Sequence, residues 1–300
     1  MHYAKQLPCL RITLLLLTLV FAPTAIAADK LKVYTVNYPL AYFTERIAGE
    51  QAEVVFPAPP DVDPAFWMPD TDTIIAYQRA DLIVINGANY AKWISKVSLP
   101  RLRMVDTSRP FADRFLQQQA TSHSHGTGGD HSHSGTAFTT WLDPGQAVQQ
   151  AEVIAAALTR KRPAAKQRFE SNLDGLKSDL LALDERIARI TMSAADSPIL
   201  ASHPVYQYLA RRYGLNLRSV MWEPDEVPDE SQWAEFVKIL EEFPAKWMLW
   251  EAEPASESVE WLRSLGVESI VFNPCGNRPE SGDFLSVMLK NAASLEDVSR

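Results

Sequence analysis

Cysteine is scarce: Cys9 and Cys275 are the only two in 300 residues. They cannot make a disulfide scaffold or a zinc site of cysteines alone. Positive charge is short as well. Lys and Arg number 29 against 37 Asp and Glu, a formal net charge of −8. That balance argues against a nucleic-acid binder, whose phosphate contacts need a basic surface. Past the first 27 residues no apolar stretch approaches the ~20 residues of a membrane-spanning helix. The usual catalytic signatures are missing too. There is no G-x-S-x-G elbow, no H-E-x-x-H, no phosphate loop and no G-x-G-x-x-G after a strand. A Cys275–His203 nucleophilic pair is conceivable, and the lone thiol gives it little support. At 46% hydrophobic and 22% charged residues, what remains is an ordinary globular composition.

The N-terminus reads as a targeting segment. Lys5 and Arg11 give a basic start, residues 12–21 (ITLLLLTLVF) an apolar core, and Ala25-Ile26-Ala27 a cleavage site. Residues 1–27 are therefore expected to be a cleaved signal peptide and the mature chain to be exported to the periplasm. Cys275 would then be the single remaining thiol, with no partner for an internal disulfide.

Beyond the leader, strand-like and helix-like segments alternate. Residues 31–37, 53–56, 81–86 and 103–107 read as strands, and 39–49, 71–79, 90–97 and 144–161 as helices. After residue 192 the alternation resumes, with strands at 198–202, 217–222, 246–251 and 268–272. Helices are expected at 204–213, 231–243, 256–265 and 282–293. Such alternation implies parallel sheets covered by helices. Between the two halves, Phe169, Leu173, Leu176, Leu180, Leu183, Ile187 and Ile190 follow one another at intervals of four and three. That spacing predicts one amphipathic helix over 163–191, about 40 Å long. The expected fold is α/β, two parallel-sheet lobes joined by one long rigid helix. The N-terminal lobe would run over 28–161, the linking helix over 162–192 and the C-terminal lobe over 193–300. A coiled-coil dimer is the alternative for the stripe, which lasts only about three heptads; a monomer is the expectation.

Residues 122–135 (SHSHGTGGDHSHSG) stand apart. They carry no large apolar residue and four imidazoles, His123, His125, His131 and His133, in two H-x-H units. The segment reads as a mobile surface loop that collects zinc, copper or nickel on neutral imidazoles. His203 follows the apolar segment 198–202 and so sits at the carboxyl end of a strand, where open α/β sheets bind ligands.

These pieces form a recognisable series. Asp63-Pro64, Ala80-Asp81-Leu82, Trp141-Leu142-Asp143-Pro144, Ser202-His203, Arg212-Tyr213-Gly214-Leu215, Glu253-Pro254 and Asn273-Pro274-x-Gly276 occur in that order. With the His-rich loop and the long helix, the series resembles the periplasmic zinc-binding proteins of ABC importers. These lie within the cluster of manganese- and zinc-specific solute-binding proteins. The resemblance covers nearly all of residues 31–293. It implies two lobes and a rigid helix, zinc as cargo, a membrane permease as partner, and one metal held in the cleft by three histidines and a carboxylate. Of the four ligand positions it implies, only His203 carries a ligand of the family type. The other three are occupied by Ala65, Thr139 and Asn273, of which alanine offers no donor and the others weak neutral ones.

Three arrangements follow for the cleft. His203 holds metal with replacements, the candidates being Asp63, Glu253 and Cys275. Or the loop histidines carry the metal and the cleft contributes only His203. Or the cleft has changed to a non-metal ligand, with Trp67, Trp141, Trp222 and Trp250 as its lining, or else as core. The function expected is capture of a divalent metal ion, zinc first, for an ABC importer. The alternative is an accessory metallochaperone or metal sensor; an enzyme is not expected.

Overall fold

The computed structural model describes Met1 and residues 29–118, 122–125, 129–132, 135–192 and 197–298. The expected signal peptide, Cys9 included, lies outside the described residues apart from Met1.

The N-terminal sheet is built from β1 (Leu31–Thr35), β2 (Ala52–Val55), β3 (Leu82–Ile85) and β4 (Met104–Asp106). All pairs are parallel, in the order β2-β1-β3-β4. β3 reads Leu-Ile-Val-Ile and is buried on both faces, as a central strand flanked by helices must be. Helix α1 (Tyr38–Ala48) starts where the Asn37 side chain accepts from the Leu40 amide and places Pro39 in its first turn. It stops at Gly49, whose φ of 54° suits glycine. Asp70 caps α2 (Thr71–Arg79) in the same manner as Asn37. The helix expected over 90–97 is only a 3₁₀ turn, Lys92–Lys96. Its start has no side-chain cap, and five residues are too few to propagate an α-helix.

Within the segment expected to be a mobile surface loop, 122–135, the described residues form an antiparallel ribbon. Strands β5 (Gln117–Gln118) and β8 (Gly135–Thr136) pair antiparallel, and β6 (Ser122–His125) pairs antiparallel with β7 (Gly129–Ser132). His123 stands opposite His131 in register. The alternating S-H-S-H pattern has the two-residue period of a strand, which composition alone obscured. His133 lies outside the described residues.

Helix α3 (Pro144–Lys161) begins at Asp143, whose carboxylate accepts from the Gly145 and Gln146 amides. A tight turn at Pro163–Ala165 separates it from α4 (Lys166–Thr191), the expected linking helix. Phe169, Leu176, Leu180, Leu183 and Ile187 are buried along one face of α4, while Leu173 and Ile190 are half-buried at its margin. Its N-terminal half is tied to the first lobe. The Asn172 amide donates to the Ile47 carbonyl, and Asp179 pairs with Arg46. Its C-terminal half is tied to the second lobe through Asp184, which binds Arg212 and Tyr213.

The C-terminal lobe repeats the first. β9 (Ile199–Ala201), β10 (Leu217–Ser219), β11 (Trp247–Trp250) and β12 (Glu268–Val271) form a parallel sheet ordered β10-β9-β11-β12. Helices α5 (Gln207–Tyr213), α6 (Glu230–Glu242) and α7 (Ser256–Ser264) alternate with these strands. α8 (Phe284–Val298) returns to the seam, where Phe284 meets Phe43 of α1 edge-on at 5.2 Å. One apolar core therefore runs through both lobes by way of α4 and α8. A second core under α6 and α7 gathers Trp222, Phe236 and Trp250. Hydrogen bonds cross between the lobes: Tyr38 amide to Gly276 carbonyl at 3.0 Å, Trp141 indole to Pro274 carbonyl at 2.7 Å, and Tyr208 hydroxyl to Ala137 carbonyl at 2.9 Å. Among the described residues, no helix is long and apolar enough to cross a membrane.

Candidate metal centre

The neighbouring strands β10, β9 and β11 all end at one edge of the C-terminal sheet, and each delivers one side chain beyond its carboxyl end. His203 follows β9, Glu223 follows β10 and Glu251 directly follows β11. Their ligand atoms all lie within 4.8 Å of one another. His203 is buried at 4% exposure, and the two glutamates are partly exposed.

The imidazole is oriented from the backbone. Nδ1 lies 2.9 Å from the Trp222 carbonyl, an acceptor that fixes a proton on Nδ1 and turns Nε2 toward Glu223. Nε2 and Glu223 Oε1 are 3.3 Å apart, and Glu251 Oε1 is 3.5 Å from Nδ1. Two donors bound tetrahedrally to zinc at about 2.0–2.1 Å stand about 3.3 Å from each other, so this pair has the spacing of one edge of a zinc tetrahedron. Burial alone would lower the affinity of the imidazole for a proton. Glu223 and Glu251 more than reverse that, and the pKa rises to about 9. Burial raises the Glu251 carboxyl, His203 opposes the rise, and the charges of Asp63 and Glu223 add to it. Asp63 belongs to the first lobe, so its charge reaches the centre from across the cleft.

The remaining residues singled out from sequence fall elsewhere. Asp63 Oδ1 accepts from the Ala65 amide at 2.8 Å, and Asp63 is not in the ligand group. Glu253 is exposed and outside the group. Cys275 is buried with Sγ toward the Asn277 carbonyl, and its thiol is pushed up to about 12 by burial and Asp283. Glu253 and Cys275 lie outside the group that strand order brings together, which is His203 with Glu223 and Glu251. Ala65 is fully buried. The Thr139 hydroxyl donates to the Val205 carbonyl, and Asn273 Oδ1 accepts from the Cys275 amide at 2.6 Å. The two polar side chains are thus engaged with loop backbone. Trp222 and Trp250 are core: Trp222 packs 4.6 Å from Trp233 and 4.8 Å from Phe236. Trp141 is buried at the seam and Trp67 is half-buried. Of the loop histidines, the backbones of His123, His125 and His131 fall on β6 and β7.

Two parallel-sheet lobes locked by a rigid helix, with a histidine and two carboxylates at strand ends facing the cleft, define a two-lobed binding-protein architecture. Residues 33–298 match the family described as zinc-uptake complex component A, periplasmic, and the chain belongs to that family. The zinc-binding lipoprotein AdcA of Streptococcus pneumoniae serotype 4 is 26% identical over 98% of this chain; the chain spans 61% of the length of that relative. The high-affinity zinc uptake system protein ZnuA of Bacillus subtilis is 26% identical over 90% of this chain and 88% of that protein. In three dimensions the metal-dependent lipoprotein YcdH of Bacillus subtilis superposes with a TM-score of 0.76 at 23% identity, over 89% of this chain and 98% of that one.

Proposed function

We propose that this chain is the extracytoplasmic solute-binding component of a zinc importer, and that its cargo is held by His203, Glu223 and Glu251. The observation that carries the reading is the 3.3 Å spacing of His203 Nε2 and Glu223 Oε1, with a third ligand atom within 4.8 Å. A neutral imidazole and two carboxylates form a zinc-type donor set with room for water or substrate at the remaining position. The family and the relatives that carry zinc in their names support zinc over other divalent ions. The protein acts as a monomer that delivers its ion to a membrane permease and catalyses nothing. Residues 1–27 are its signal peptide, 28–161 and 193–300 its lobes, and 162–192 the link. The register of His123 with His131 supports a second, collecting role for the ribbon. Its affinity is modest, since ordering costs ~1–2 kcal/mol per residue.

Chelator competition on mature protein lacking residues 122–135 tests this. One zinc per chain is expected, with affinity lowered by more than about tenfold in both His203→Ala and Glu223→Gln. Equal affinity in all three proteins overturns the assignment. Restoring 122–135 should add weaker equivalents of zinc and leave the tight one unchanged.

A further inference from the structure

β4 is the outer strand of the N-terminal sheet, and a groove of about 770 Å³ runs along it. Its floor is apolar, made by Ile85, Met104, Val105 and Val153. Three guanidiniums from three elements line it. Arg101 precedes β4, Arg109 follows it, and Arg160 stands in the last turn of α3. Among the described residues none of the three has a hydrogen-bond, ion-pair or ring partner. Arg46, Arg186 and Arg212, by contrast, each hold a carboxylate. The one acid in the groove is already engaged. Asp106 Oδ1 accepts from the Ser108 amide at 3.1 Å and the Ser108 hydroxyl at 3.2 Å, folded against the turn at Gly87.

The sign of the charge here is opposite to that of the chain, whose net charge is −8. A planar guanidinium offers paired N–H donors that match the oxygens of a carboxylate or phosphate. The volume lies in the range of pockets for organic molecules, far beyond what one inorganic ion fills. We propose that this groove binds an organic polyanion. Its apolar body rests on Met104, Val105 and Val153, and its oxyanion groups face Arg101, Arg109 and Arg160. The site is separate from the zinc centre, which lies in the other lobe, and does not depend on it.

Calorimetric titration of the full mature protein at low salt tests the proposal with two probes. Benzene-1,3,5-tricarboxylate is the carboxylate arm and 1-naphthyl phosphate the phosphate arm; benzoate and 1-naphthol are the controls. One saturable site is expected for at least one of the two anions, tighter than for its control and weakening as salt is added. Whichever arm binds identifies the oxyanion class. Each of Arg101→Gln, Arg109→Gln and Arg160→Gln should weaken that binding by about tenfold. The triple variant should abolish it while keeping the zinc affinity of the parent, which shows that the protein is folded. His203→Ala should leave anion binding unchanged. Anions binding no better than their controls, or equally well to the triple variant, overturn the proposal.

Discussion

His203 is gripped by a backbone carbonyl and two carboxylates before any cation arrives. In the metal-free protein the imidazole therefore carries a second proton at neutral pH, and that proton competes with a cation for Nε2. Its folded pKa of about 9 lies above the ordinary imidazole value of 6.5. The stabilisation it confers is thus fully present below about 6.5 and is lost as the pH rises through about 9. A nuclear magnetic resonance titration of the metal-free protein should place the His203 ring midpoint near 9, and Glu223→Gln should move it down. A midpoint at or below 6.5 in the parent would contradict the ion pairing. The two glutamates that produce this effect were hidden in the sequence. Each is an ordinary acid beside an apolar strand, and only the order β10-β9-β11 brings them to His203. His203 itself was legible, because an apolar strand ending in Ser-His-Pro marks the carboxyl edge of a sheet. Cys275 and Glu253 attracted notice through residue type, which says nothing about convergence.

Three helices meet at a knot of charge that explains motifs unrelated to ligation. Asp143 caps α3 and also pairs with Arg211 at 3.3 Å. Asp184, buried on α4, accepts from Arg212 Nε at 3.0 Å and from the Tyr213 hydroxyl at 2.9 Å. The W-L-D-P and R-R-Y segments are thus two halves of one lobe-to-lobe contact. The N-P-x-G segment supplies a second, through the Pro274 and Gly276 carbonyls. Removing one member of a buried charge pair leaves its partners uncompensated, which costs about 3–5 kcal/mol. Arg212 is partly exposed, so solvent screening brings the cost below that range. Asp184→Ala should therefore lower the free energy of urea unfolding by about 2–3 kcal/mol, whereas the exposed Glu185→Ala should change it little. Loss of less than about 0.5 kcal/mol would remove the knot from the stabilising set. The long helix was readable from its four-three spacing because one face must stay buried across both lobes. Its true start was not, since Pro163 fits a 3₁₀ turn as well as a first α-turn. The segment 90–97 misled for a related reason: apolar residues at helical spacing also serve a single turn packed on a core, as Trp93 does.

At the scale of the molecule, the ligand set sits in one lobe while the contacts that hold the lobes together lie outside it. The three described ligand side chains all come from the C-terminal sheet. The first lobe places Ala65 and Thr139 where the family resemblance implies histidines, and among the described residues the charge of Asp63 acts on Glu251. Zinc held by this proposed set would therefore form no bond that draws one lobe toward the other. The lobes are already joined through a shared core along α4 and α8 and through the bonds from Tyr38, Trp141 and Tyr208. Hinge closure needs a few residues free to absorb a change in backbone angles, and a 26-residue helix packed on both lobes provides none. Small-angle X-ray scattering of the mature protein should accordingly give the same radius of gyration with and without saturating zinc. A compact chain of its size predicts about 18–20 Å. Glu223→Gln should leave that radius unchanged while weakening zinc binding, which separates occupancy from shape. A contraction on adding zinc beyond measurement error would mean that the lobes part in the empty protein. Asp63, the first-lobe acid whose charge acts on Glu251, would then be the residue to mutate.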